Sequence, residues 1–149
     1  MGGSGGEPGS PPARTIKAVA AVIERDGKFL ITKRLETSPM GHCWEFPGGK
    51  IEPGETVEEC AVRECKEEIN VTIAPIRRLR EELYDYPHGF VHLWFVLCRL
   101  EVGEPKPIQC REVRWIEPHQ FSEFEFPPAD VRVIEDIIAE DIIAKGNSL

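Results

Sequence analysis

The stretch GGKIEPGETVEECAVRECKEEINV, residues 48 to 71, holds ten charged side chains in twenty-four positions, and seven of the ten are glutamates. Carboxylates crowded like this either face water on a solvated helix or gather around cations. Geometry separates the two. Thr56 followed three residues later by Glu59 has the capping-box spacing, and Pro53-Gly54 supplies a turn just before it. A helix is expected from about Thr56 to Ile69, stopping before Asn70 and the β-branched Val71-Thr72-Ile73. At about 100° per residue, Val57, Cys60, Ala61, Cys65 and Ile69 fall between roughly −60° and 120°, a broad apolar stripe. Glu59, Arg63 and Lys66 take the opposite, solvent-facing side. Glu64 and Glu68 land at roughly −20° and 20°, inside the stripe, and Glu67 at about −80°, on its border.

Acids inside an apolar stripe contradict a merely solvated run. Three carboxylates at i, i+3 and i+4 on a partly buried face repel one another and lose hydration, which is costly unless cations neutralise them. Oxygen-only ligands suit hard divalent ions, Mg²⁺ or Mn²⁺, better than zinc. Glu58 and Glu59 are read as ordinary surface acids, and Arg63 as a residue able to pair with its acidic neighbours.

Gly49, five residues, Glu55, seven residues, then Arg63-Glu64-Cys65-Lys66-Glu67-Glu68 and finally Val71 resembles the Nudix box. Two positions depart from it. Cys65 replaces an aliphatic, which a buried thiol imitates. Asn70 replaces a glycine, and Asn tolerates the left-handed conformation that a helix C-cap needs.

The resemblance implies an enzyme that hydrolyses a diphosphate bond in a nucleoside diphosphate derivative, by positioning and charge stabilisation. It implies that Glu67 and Glu68 bind the metal with a backbone carbonyl of Gly48 or Gly49. Glu64 is then the base or an additional ligand, and Arg63 orients the cluster. Glycine belongs at 48 and 49 because the main chain must turn and expose its carbonyls. The family also recruits an acid six residues before a strand tryptophan. Counting back from Trp115 gives Gln109, which cannot be a charged ligand, so Glu112 either takes that role or faces water at the start of a strand.

Phe29 to Arg34, Trp44 to Lys50, His92 to Phe95 and Phe126 to Asp130 are similar to the MutT branch, which converts nucleoside triphosphates, including 8-oxo-dGTP, to the monophosphate and pyrophosphate. By that similarity Arg34 contacts the nucleotide and Phe46 lines the base pocket, with Glu45 and Gly48 as further substrate-side candidates. Asp130 stands where MutT carries an Asn that reads the oxidised purine. Asn donates and accepts, whereas an ionised Asp only accepts. An ionised Asp130 would favour an edge rich in N–H groups: the amine of cytosine or adenine, or N1–H and N2–H₂ of guanine. A related branch active on CTP also has Asp in a Pro-Ala-Asp setting. Alternatively Asp130 caps the final helix.

The elements that must position these residues are legible around them. Residues 15 to 34 alternate about Asp26-Gly27, a hairpin signal, giving strands near 16–24 and 28–34. Further apolar and β-branched runs lie at 71–83, 90–100 and 112–117, and 130–144 shows helical periodicity with Gly146 as its C-cap. The expected class is α/β. One mixed central sheet between two helices is the α/β/α sandwich that the Nudix resemblance implies.

The chain has 149 residues, 41% hydrophobic and 30% charged, enough for one core. Residues 1–13, rich in Gly, Ser and Pro, are expected to be a flexible tail or cloning remnant, leaving 14–149 as a single Nudix domain. No apolar run reaches membrane-spanning length and no signal-peptide pattern opens the chain, so a cytoplasmic protein is expected. The five cysteines, at 43, 60, 65, 98 and 110, form no CxxC pair, so reduced thiols are expected and the spacing does not suggest zinc. The net charge of −8 argues against gripping long nucleic acid, and Arg77-Arg78-Arg80 reads as a solvated strand or a phosphate contact. Three function classes follow: a Mg²⁺-dependent nucleoside triphosphate pyrophosphohydrolase, an RNA 5′-pyrophosphohydrolase acting on triphosphorylated ends, and a non-catalytic nucleotide sensor. A monomer or a homodimer fits each.

Overall fold

The computed structural model describes residues 14–147; the segment expected as a tail, 1–13, lies outside the described residues. Strand β1 (Ile16–Arg25) turns through Asp26 and Gly27, both at positive φ, into β2 (Lys28–Lys33). Short strands β3 (Trp44–Glu45) and β4 (Gly48–Lys50) lead to helix α1 (Val57–Ile69). A long hairpin, β5 (Thr72–Tyr86) and β6 (Gly89–Val102), is followed by β7 (Glu112–Ile116). Two 3-10 turns (Pro118–Glu123, Pro128–Asp130) then precede α2 (Val131–Asn147).

The sheet has seven strands in the order β3-β2-β1-β6-β5, with β4 on β1 and β7 on β2. β1 runs parallel to β6 and antiparallel to β2 and β4, so the sheet is mixed. As the central strand, β1 is buried on both faces from Val19 to Ile23. Val19, Ala21 and Ile23 pack with the α1 stripe of Val57, Cys60, Ala61, Cys65 and Ile69. Ala20 and Val22 face Phe46, Phe95, Phe121, Val133 and Ile137 beneath α2. One core on each side of one sheet is the expected α/β/α sandwich.

The α1 boundaries follow the sequence chemistry. Thr56 accepts from Glu59 N–H at 3.0 Å, the Glu59 carboxylate accepts from Thr56 N–H at 2.9 Å, and Asn70 closes the helix at φ 56°, ψ 44°. The end of α2 differs from expectation: the helix passes through Gly146 to Asn147. Gly146 is not among the described glycines at positive φ, so it continues the helix instead of forming the left-handed cap. No helix among the described residues is long and apolar enough to cross a membrane.

Candidate active site

β4 runs so close to β1 at Gly48 that only glycine fits, and at Gly49 it lies against the acids of α1. A Cβ at Gly48 would run into the Val19 carbonyl, and one at Gly49 into the Glu64 carboxylate. The same strand therefore brings bare main chain against the acids of α1.

Arg63 organises those acids. Its Nε and one terminal nitrogen donate to Glu55 at 2.7 and 3.0 Å, the other terminal nitrogen to Glu64 at 3.0 Å and Glu67 at 3.1 Å, with a further bond to the Lys50 carbonyl. Helical geometry alone placed Arg63 in solvent, yet its side chain is 24% exposed. The reason is tertiary: the 50–55 loop folds back over that side of α1 and delivers Glu55 and a carbonyl. This bidentate contact lowers the Glu55 carboxyl to about 2, helped by the Glu52 backbone, and raises Arg63.

Glu68 is buried, as its place in the stripe demands. Thr32 Oγ1 donates to it at 3.3 Å, and a Gly48 backbone hydrogen bond also favours its charged form. Those contacts do not offset desolvation, which, with Glu45 and Glu64 nearby, pushes its carboxyl up to about 8. Burial also raises Glu64, while Glu67 is about half exposed. Hard oxygen donors, too little positive charge around a buried carboxyl, and a main-chain cradle that any Cβ would fill together fit a divalent cation of the Mg²⁺ or Mn²⁺ kind.

The late loop meets the helix through main chain. Ile108 and Gln109 N–H both donate to the Glu68 carbonyl at 3.1 Å. Glu112, at the start of β7, lies apart from these bonds: its carboxylate accepts from Arg114 at 2.7 Å and is nearly half exposed.

Beside the acids opens a cavity of about 460 Å³ that runs from Gly48 and Gly49 past Arg34, Glu45 and Phe46 to Asp130. Arg34 is paired to Glu45 and also donates to the Pro39 carbonyl at 2.9 Å. Asp130 is 5% exposed, and no hydrogen bond engages its carboxyl among the described residues. The helix-capping alternative therefore has no bond to rest on. Burial, with Glu45 beside it and only Arg34 opposing, raises Asp130 well above its ordinary range, toward the neutral acid. The acceptor-only Asp130 expected from sequence is the form that this pocket disfavours.

Sequence reasoning missed Tyr86 and His88. The Tyr86 hydroxyl accepts from Ala129 N–H at 2.9 Å, which ties the turn carrying Asp130 to β5, and His88 stacks on its ring at 5.1 Å. Tyr86 ends β5 and His88 lies in the turn that follows, so no strand or helix periodicity in the sequence marks the pair.

The family profile described as the NUDIX domain matches residues 14–137. The chain belongs to the NUDIX family. It is 31% identical over 128 residues to the 8-oxo-dGTP diphosphatase of Haemophilus influenzae, covering 85% of this chain and 94% of that one. To the CTP pyrophosphohydrolase of Escherichia coli it is 29% identical over 126 residues, with 85% and 93% covered. The crystal structure of the MutT protein from Methanosarcina mazei shares the fold with a TM-score of 0.75 and 25% identity, over 85% of this chain and 95% of that one. As a Nudix hydrolase of MutT type, the chain carries its Nudix box on β4, the 50–55 loop and α1.

Proposed function

We propose that this Nudix hydrolase is a Mg²⁺-dependent pyrophosphohydrolase that cleaves a nucleoside triphosphate to the monophosphate and pyrophosphate, with 8-oxo-dGTP as its preferred purine substrate. Glu64, Glu67 and Glu68, with the Gly48 and Gly49 carbonyls, would hold the cation. Such an ion supplies charge neutralisation on phosphate oxygens and orientation of a water. Arg63 holds Glu64 and Glu67 in place while Glu55 fixes Arg63, so Arg63 positions the acids. Glu64 touches the Gly49 cradle and is the leading proton acceptor, because burial raises its basicity.

The observation that carries the substrate reading is Asp130, buried against the cavity with no hydrogen bond to its carboxyl among the described residues. A neutral carboxyl has one O–H donor and one acceptor, the pair that an Asn amide offers. The N7–H and O6 edge of 8-oxoguanine complements that pair; unmodified guanine, with two acceptors there, does not. Arg34 and Glu45 lie beside it to meet the remainder of the nucleotide, and Phe46 backs the cavity.

The N4–H and N3 edge of cytosine complements the same pair, and one relative is named a CTP pyrophosphohydrolase, so CTP is the second reading. An RNA 5′ end has less support: Arg78 and Arg80 are engaged by Glu58 at 2.8 Å and Asp136 at 2.6 Å rather than lining a basic groove. A non-catalytic sensor would not need the full acidic set.

A panel of oxidised and unmodified nucleotides, with product identification, tests this. 8-oxo-dGTP should give the highest kcat/KM. Asp130→Ala should cost about 2–4 kcal/mol, roughly 30- to 1000-fold, on the preferred nucleotide and much less on poor ones. Equal losses across the panel would remove Asp130 from base reading.

A further inference from the structure

Away from the acidic helix, His42, Cys43 and Glu125 bring three unlike donors together, an imidazole nitrogen, a sulfur and a carboxylate oxygen, all within 4.8 Å of one another. His42 Nε2 lies 3.3 Å from Glu125 Oε2. The backbone beneath them is tightly held. Trp44 N–H donates to the Glu125 carbonyl at 2.7 Å, Cys43 N–H to the Met40 carbonyl at 2.9 Å, and Arg34 N–H to the Cys43 carbonyl at 3.1 Å.

Cys43 is 3% exposed. Among the described residues no hydrogen bond engages its thiol, whereas the Cys60 and Cys98 thiols donate to carbonyls. An exposed His42–Glu125 contact accounts for two of the donors, and the buried Cys43 thiol lies within reach of both. Chain spacing gave no sign of the cluster, because Glu125 reaches it from the far end of the domain.

We propose that His42, Cys43 and Glu125 form a second cation site, for a divalent transition ion of the zinc class, separate from the carboxylates of α1. A nitrogen, a sulfur and one oxygen select zinc-type ions over magnesium. Metal–ligand bonds of about 2.0–2.1 Å in a tetrahedron put neighbouring ligands about 3.3 Å apart, the spacing His42 and Glu125 already have. Three protein ligands leave the fourth position to water. The thiol proton passes to solvent as the thiolate binds. Pro39 and Met40, just before this site in the chain, and Pro127, just after Glu125, line the nucleotide cavity. The ion thus staples the 36–43 loop to the segment leading to Asp130.

Co²⁺, which reports thiolate ligation by a sulfur-to-metal charge-transfer band, is the probe, added to the whole chain in excess Mg²⁺ so that hard-donor sites are already filled. The wild type should develop the band stoichiometrically, and Cys43→Ser should lose it although Cys60, Cys65, Cys98 and Cys110 remain. His42→Ala and Glu125→Gln, changes at exposed side chains that spare the fold, should weaken Co²⁺ and Zn²⁺ binding at least about tenfold. No band in the wild type, a band that survives Cys43→Ser, or unchanged affinity in both exposed variants would overturn the site. Hydrolysis is not the readout, so failure here is distinct from failure of the nucleotide reading.

Discussion

Glu68→Gln asks whether α1 keeps a buried acid at the expense of stability. Burial beside Glu45 and Glu64 raises the Glu68 carboxyl from an ordinary 4.5 to about 8. Between those values the folded chain holds a proton that the unfolded chain has released. Without metal, stability is then full below about pH 4.5 and is lost as pH rises toward 8. At about 1.4 kcal/mol per pH unit, the loss by pH 7 is on the order of 3 kcal/mol, and it levels off above the raised value.

A glutamine at 68 keeps the shape and an oxygen for the Gly48 contact but never ionises. Urea unfolding of both proteins in chelator, from pH 5 to 9, measures the difference. The wild type should weaken with rising pH, and the variant should hold nearly level, becoming the more stable of the two near pH 8. Mg²⁺ should restore the wild type at high pH and do little for the variant, which should also lose hydrolysis. Parallel stability curves would refute the burial argument. A variant that turns over normally in saturating Mg²⁺ would refute the assignment of Glu68 to the cation.

Asp130→Asn fixes the donor-acceptor pair that the buried acid holds only while protonated. Its kcat/KM for 8-oxo-dGTP should match the wild type at neutral pH and persist at high pH, where wild-type activity falls as Asp130 ionises, a decline that nucleotide pH profiles would show. Tyr86→Phe strands the Ala129 N–H beneath the Asp130 turn; a loss of about 1–2 kcal/mol in stability is expected from chemical denaturation, with nucleotide selectivity falling alongside. Glu112→Gln breaks a surface pair with Arg114 and should leave the rate within about twofold of wild type; a slowdown of at least about tenfold would instead give Glu112 the late-loop role.

Local rules read α1 well because its determinants are local. Thr56 and Glu59 set its start, Asn70 its end, and the period of its apolar residues placed Glu68 inside the core. The same wheel misplaced Arg63, because what covers that face is a loop docked from earlier in the chain. The hairpin at Asp26-Gly27 was legible from two residues, whereas the parallel pairing of β1 with β6 is fixed by packing on both faces of the sheet. Tyr86 could not be found from spacing, since its role depends on how far β5 extends toward the 128–130 turn. The preferred charge state of Asp130 was illegible for the same reason: it is set by burial and by Glu45, an acid delivered on a different strand.

Glu64, Glu68, Glu45 and Asp130 form an unbroken electrostatic chain, in which burial raises every member and each interacts with a neighbour of its own charge sign. Arg63 pairs with Glu64 at one end of it, and Arg34 with Glu45 toward the other. Stability alone gives no reason to hold carboxyls this way, since apolar residues of similar size would pack the same space without desolvation cost. A triphosphate would add negative charge to a cavity that already repels it. On the proposed function, cation and nucleotide should therefore bind with positive coupling, because an ion held by Glu64, Glu67 and Glu68 would neutralise acids that otherwise repel a triphosphate. At the other end of the chain burial and Glu45 push Asp130 toward its neutral form, in which, on the proposed reading, its carboxyl would offer a base edge a donor as well as an acceptor.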